Sequence, residues 1–99
     1  MKRMLLLVAL FTVVSAAAQD LTILHLNDTH SNIEPQRSGA FAGHGGVVEQ
    51  AAYIDSVRCA DGKGNVILLH AGDFSQGTSY FKVFDGDIEV DVMNAMLFD

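Results

Sequence analysis

The chain is short of cysteine, proline and positive charge, and each shortage closes off a class of protein. Its single cysteine, Cys59, cannot form a disulfide within the chain. A disulfide-stapled miniprotein is therefore excluded. Cys59 follows Val57-Arg58 with no second Cys or His within a few residues, so it reads as a small packed side chain rather than a nucleophile. Six Lys and Arg stand against 12 Asp and Glu, for a formal net charge of −6. Such a chain is a poor non-specific binder of nucleic acid. No apolar run reaches the roughly 20 residues that a membrane span needs. No Gly-x-Ser-x-Gly elbow is present, so a serine hydrolase has no support. With one Pro and with glycines confined to loops, the chain shows neither a repeat nor a low-complexity tract.

What is present begins with an address. Lys2 and Arg3 precede an apolar stretch from Met4 to Val14, and Ala16-Ala17-Ala18 follows as a small-residue cleavage site. This is the layout of a secretory signal, so residues 1–18 are expected to be removed and residues 19–99 to form the folded segment. No Cys lies near the cleavage point to carry a lipid anchor. The expected location is the periplasm or the outside of the cell. Removal of Lys2 and Arg3 leaves 12 acids against 4 bases and takes the net charge to −8. An acidic domain invites cations. If its substrate is a phosphate ester, metal must supply the positive charge.

The remaining residues alternate between strand and helix patterns. Leu21 to Leu26 is a short apolar run with polar borders, as expected of a buried parallel strand. Asn27 to Gly46 reads as a long loop broken by Pro35, Ser38-Gly39 and Gly43-His44-Gly45-Gly46. Val47 to Arg58 reads as a helix with Val47, Ala51 and Ile54 on one face and Val48 and Ala52 beside them. A turn over Asp61 to Asn65 leads to a second strand, Val66 to Leu69. Asp87 is expected to cap a last helix, with Glu89 and Asp91 in its first turn and Ile88, Val92 and Met96 on one stripe. Strand, helix, strand, helix predicts an α/β fold with a parallel sheet and a right-handed crossover.

Two polar motifs end the two strands. Asp28-Thr29-His30 follows the first, and Gly72-Asp73 follows the second. In a parallel sheet the carboxyl ends of neighbouring strands open onto one edge, where ligands bind. If Asp28 and His30 continue the extended strand, they project to the same side. Asp28, His30 and Asp73 then converge as metal ligands. Two carboxylates and an imidazole suit Zn, Mn or Fe, and also admit Mg. Two cations roughly 3.5–4 Å apart are the usual device for clamping a phosphoryl group. Asp73, on its tight turn, is the better candidate for a carboxylate shared by both.

Other readings of the motifs fail. Gly72 to Ser79 has P-loop spacing but puts Thr78 where Lys must be, and Asp73 would repel phosphate. Asp85 to Asp91 starts like a calcium loop but puts Val90 where Gly is needed. Asp28 alone could be a turn former. His25 and His70 sit inside apolar strands and read first as packed residues, and His44 in its Gly-rich loop as a surface one.

The ordered set of motifs is more specific than any member. It runs Ile23-Leu24-His25-Leu26-Asn27-Asp28-Thr29-His30-Ser31, then Gly45-Gly46 opening a helix, then Leu68-Leu69-His70-Ala71-Gly72-Asp73-Phe74-Ser75-Gln76-Gly77-Thr78, then Met93-Asn94-Ala95-Met96. This set closely resembles the amino-terminal part of the 5′-nucleotidase family of calcineurin-like metallophosphoesterases. The resemblance implies the amino-terminal part of a four-layer α/β/β/α sandwich with a centre of two divalent metal ions. It implies hydrolysis of a small-molecule nucleotide, with Asp28 and His30 on the first metal and Asp73 bridging both. Gln76 and Gly77 belong to the loop after the bridge and are not ligands. The family's next motif, Gly-Asn-His-Glu, is expected just beyond Asp99, with a catalytic His, later His ligands and a carboxyl-terminal substrate domain after it. On this reading residues 19–99 are a truncated part of the domain, inactive alone, and no catalytic residue is assigned within them. Nucleotide-sugar hydrolysis and 2′,3′-cyclic phosphodiesterase activity are close alternatives. A secreted, non-catalytic remnant is the alternative from another class.

Overall fold

The computed structural model describes residues 19–99; the expected export signal over residues 1–18 lies outside them. Two five-residue strands, β1 (Thr22–Leu26) and β2 (Val66–His70), pair in parallel with Leu24 opposite Leu68 and Leu26 opposite His70. Helix α1 (Val47–Asp61) lies between them in the chain, followed by a 3-10 turn at Lys63–Asn65. Two helices follow β2: α2 (Ser79–Phe84) and α3 (Asp87–Ala95). The α/β reading with a parallel pair therefore holds. No helix among the described residues is long and apolar enough to cross a membrane.

The alternation of side chains along each strand gives the sheet two unlike faces. On one face Val66 and Leu68 are buried, Leu68 completely, and Leu24 is partly covered. Ile54 from α1 and Met96 after α3 complete this core, with Val47, Ala51, Val92 and Phe98 packed around it. On the other face Ile23 is 58% and Leu69 41% exposed. The helical faces follow the same logic. Val47, Ala51 and Ile54 of α1 turn inward as expected, whereas Val48 is 78% exposed. Arg58 continues the inward stripe one turn on. It is buried, and its guanidinium donates to the carbonyls of Met96 and Leu97 at 2.7 and 2.8 Å. Those carbonyls lie at the end of α3, where a cation also suits the helix dipole.

Two local expectations are corrected. Cys59 is exposed, because α1 continues to Asp61 and Cys59 follows Arg58 around the helix away from the core. Asp87 does not cap α3; Gly86 holds the capping position at φ +98 and no side chain caps it. The intervening helix α2 explains this. It ends at Asp85, itself left-handed at φ +52, so the chain must reverse within two residues and glycine supplies the second positive φ. Glu89 stands in the first turn of α3 as expected, and it is buried there, at 5% exposed. Helix α2 itself was not expected. Its cap is the Thr78 hydroxyl, which accepts from the Tyr80 amide at 3.3 Å.

Candidate metal centre

Backbone pairing does not stop where the strands end. Ala71 N–H donates to Leu26 O at 2.8 Å, Asp28 N–H to Gly72 O at 3.0 Å, His30 N–H to Asp73 O at 3.3 Å and Ser31 N–H to Phe74 O at 2.9 Å. The two motif segments are thus zipped together beyond the sheet. The chain is not extended there, however. Asp28, His30, Ser31 and Asp73 all have positive φ, between +45 and +55. The expectation that an extended i, i+2 pair would aim Asp28 and His30 is corrected. Left-handed backbone at Asp28, His30 and Ser31, held by the ladder, aims them instead.

Asp28, His30 and Asp73 do come together. Each offers a ligand atom, and all three atoms lie within 4.8 Å of one another. His30 Nε2 stands 3.4 Å from Asp73 Oδ2 and 3.9 Å from Asp28 Oδ1, with all three side chains about half-exposed. Donors around one tetrahedral cation sit roughly 3.4 Å apart, given metal–ligand distances of about 2.1 Å. The donor set and its spacing therefore fit a divalent cation. Asn27 donates its side-chain amide to the second Asp28 oxygen. Four residues with positive φ, each costing of order a kcal/mol in a non-glycine residue, are the kind of strain that collects at sites.

Residues that are not ligands hold this geometry. His70 Nδ1 accepts the Gly72 amide at 3.0 Å, which leaves Nε2 as the protonated nitrogen. That Nε2 lies 3.1 Å from Thr29 Oγ1. A neutral His70 therefore ties Thr29, between Asp28 and His30, to Gly72, next to Asp73. Phe74 and Phe98 pack against its ring with centroids at 6.0 and 5.8 Å. Gly77 approaches His30 so closely that a Cβ there would stand 3.0 Å from the His30 carbonyl and 3.1 Å from its Cβ. Thr78 Oγ1 donates to Ser31 O at 2.8 Å. Sequence reasoning passed over His70 as a packed strand residue; its position two residues before Gly72-Asp73 was the available signal. His25 lies exposed on the open face of the sheet, and His44 is exposed 3.6 Å from Glu49. Beside Asp28 lies a groove of about 440 Å3, lined in part by Asn27, Glu34, Phe41 and His44.

No protein-family profile matches the chain. Individual relatives do. The snake venom 5′-nucleotidase of Gloydius brevicauda is 40% identical over 91 residues, 87% of this chain and 15% of that protein. Human 5′-nucleotidase is 39% identical over 102 residues, 95% of this chain and 17% of its own length. Among solved structures, the NAD nucleotidase of Haemophilus influenzae superposes with a TM-score of 0.69 at 36% identity, over 79% of this chain and 15% of that one. The chain thus spans about 15% of the length of the relatives it matches.

Proposed function

We propose that this chain belongs to the 5′-nucleotidase family of metallophosphoesterases and supplies half of a two-metal centre in an exported nucleotide hydrolase. The observation that carries the reading is the convergence of Asp28, His30 and Asp73 at the carboxyl edge of the parallel sheet. Asp28 and His30 act as terminal ligands of one cation, and Asp73 as the carboxylate shared with a second. Divalent cations held there, as Zn, Mn, Mg or Fe, bring Lewis acidity to a phosphoryl group. The chain's part is to place the donors and keep them placed. Asn27 holds one Asp28 oxygen, which leaves the other for metal. His70 holds Thr29 and Gly72, so the two ligand segments keep one register.

The remaining ligands, a catalytic His and the substrate domain belong to the full-length protein beyond this segment. The reaction is release of phosphate from a nucleoside 5′-monophosphate. The NAD nucleotidase neighbour makes a dinucleotide the second substrate to test. Nucleotide sugars and 2′,3′-cyclic nucleotides complete the panel. The amino-terminal charge, apolar run and Ala16-Ala17-Ala18 support export to the periplasm or beyond, with removal of residues 1–18.

The test uses the full-length protein, loaded with Mn or Zn. Phosphate release and bound metal are measured for the wild type, Asp73→Ala and His30→Ala. A shared carboxylate serves two cations and a terminal ligand one, so Asp73→Ala is expected to lose at least as much of both as His30→Ala. A metal-replete, fully active Asp73→Ala protein would remove the bridging role. A wild type that hydrolyses none of the panel would remove the enzyme.

A further inference from the structure

Behind the ligand segments lies a second polar site, buried and without an assigned role. Glu89 of α3 is 5% exposed, and neither of its carboxylate oxygens has a hydrogen-bond partner among the described residues. Ser31, the residue after His30, is 1% exposed, and its hydroxyl is likewise unpartnered. Both side chains line one cavity of about 30 Å3. Its wall is otherwise largely apolar, with Leu26, Val92 and Met96 among its residues.

A carboxylate in such a setting needs hydrogen-bond donors, because an unsatisfied buried acceptor costs roughly 1–3 kcal/mol and an ionised one more. Direct relief is scarce. Ser31 offers one O–H to two oxygens. Of the neighbouring donors, His70 Nε2 meets Thr29 and the Asn32 amide meets Thr29 O, and the Gln50 amide, which also lines the cavity, bonds neither Glu89 nor Ser31 Oγ. Water fits the gap. It needs about 10–15 Å3 of such volume and two to four polar partners, and the cavity offers room for about two molecules.

We propose that the cavity is an internal water site, and that Glu89 acts through it as a positioning residue for His30. The water donates to Glu89 and accepts from the Ser31 hydroxyl. Ser31 is already held on two other sides, by its N–H to Phe74 O at 2.9 Å and its carbonyl from Thr78 Oγ1 at 2.8 Å. The bridge to α3 is the third restraint on a residue that stands at φ +55 directly after a ligand. Helix α3 thereby supports the ligand turn from below, as partners of metal ligands commonly do. The positioning role rests on the metal reading of His30; the water site does not.

The experiment has two parts, both on the full-length protein. High-resolution crystallography is expected to show ordered water within about 2.6–3.2 Å of a Glu89 oxygen and of Ser31 Oγ. A direct Glu89–Ser31 hydrogen bond with no water between them, or a protein side chain filling the cavity, overturns the site. Zn affinity by chelator competition then tests positioning. Glu89→Leu is expected to weaken it about tenfold or more, while Glu89→Gln, which keeps hydrogen bonds to water, stays near wild type. Ser31→Ala, which leaves the carboxylate in place, is expected to fall between them. Equal losses in the Leu and Gln variants, or a lowered Tm with unchanged Zn affinity, overturn positioning. Wild-type protein that binds no Zn would sink the metal reading and the positioning role with it, whereas the water is still decided by the density.

Discussion

The two faces of the sheet differ by one residue of register and by nearly everything else. The face carrying Leu24, Val66 and Leu68 is closed by α1 and the end of α3. The face carrying Ile23 and Leu69 is open. Both are written in the same apolar residues, so hydrophobicity does not distinguish them. What distinguishes them is whether a covering element lies within the segment. A parallel sheet is ordinarily covered on both faces. On the proposed reading, the second sheet of a four-layer sandwich would cover the open face. At the edge of β2 away from β1, Asp99 pairs with Leu68, its amide donating to Leu68 O at 2.9 Å and its carboxylate accepting from Leu68 N–H at 2.8 Å.

The largest effect should come from removing that cover altogether. Residues 19–99 expressed alone should give no cooperative thermal melt and should bind a hydrophobic dye, while the full-length protein melts sharply. A closed face with few fully buried side chains barely offsets conformational entropy of about 1.5 kcal/mol per ordered residue. A sharp melt of the isolated segment by circular dichroism would show that one covered face suffices.

A narrower test asks whether the faces become alike in the full-length protein. Leu68→Ala should cost about 3 kcal/mol in denaturant unfolding, as for other fully buried leucines. Ile23→Ala should come within about 1 kcal/mol of it if a second sheet covers the open face. A loss under about 0.5 kcal/mol at Ile23 would mean that its face stays in water.

How much of this was legible in the sequence follows the same division. The two strands, α1 and the convergence of Asp28, His30 and Asp73 were readable, because period-2 and period-3.6 patterns and strand-end carboxylates are local signals. The aim of the ligands was not. It depends on left-handed residues fixed by pairing between segments more than 40 residues apart, such as Ser31 N–H to Phe74 O. Helix α2 was missed because Ser79 to Phe84 is one short helical segment with no buried residue, so it leaves no stripe to read. The burial of Glu89 was not anticipated; its place beside the Ile88-Val92-Met96 stripe of α3 was the available signal.

Between the faces, at the ligand edge, the effect should be smaller in stability and specific to metal. Gly77→Ala and Gly39→Ala both place a side chain at positive φ, +113 and +90. Each should destabilise by about 1 kcal/mol through backbone strain. Only at Gly77 does the new Cβ meet His30; at Gly39 it meets nothing within 4 Å. Calorimetric Zn titration of the full-length protein should therefore weaken for Gly77→Ala and stay unchanged for Gly39→Ala. Equal Zn affinities would mean that the Gly77 approach does not set the position of His30.

The smallest effect belongs to a place on neither face, where the loop after β1 meets α2. Tyr80 donates its hydroxyl to Glu34 at 2.7 Å, and Arg37 pairs with the same carboxylate. The hydrogen bond from Arg37 is the main reason that the Glu34 pKa lies below its ordinary value, with the Tyr80 bond second. The same carboxylate raises the Tyr80 pKa, since it holds the phenol proton. For Glu34 the folded state prefers the charged form. Its contribution to stability is therefore present above the ordinary carboxylate range and is lost as pH falls through the lowered folded value. For Tyr80 the sign reverses, and the contribution is lost as pH rises through the raised folded value. The cluster is solvent-exposed, so screening keeps its effect on stability slight. The titration itself is the sharper readout. By carboxyl-carbon NMR of the full-length protein, Arg37→Gln should move the Glu34 midpoint upward more than Tyr80→Phe does. A larger shift in Tyr80→Phe would reverse the order of the two hydrogen bonds and make α2, rather than the loop's own arginine, the element that fixes this corner.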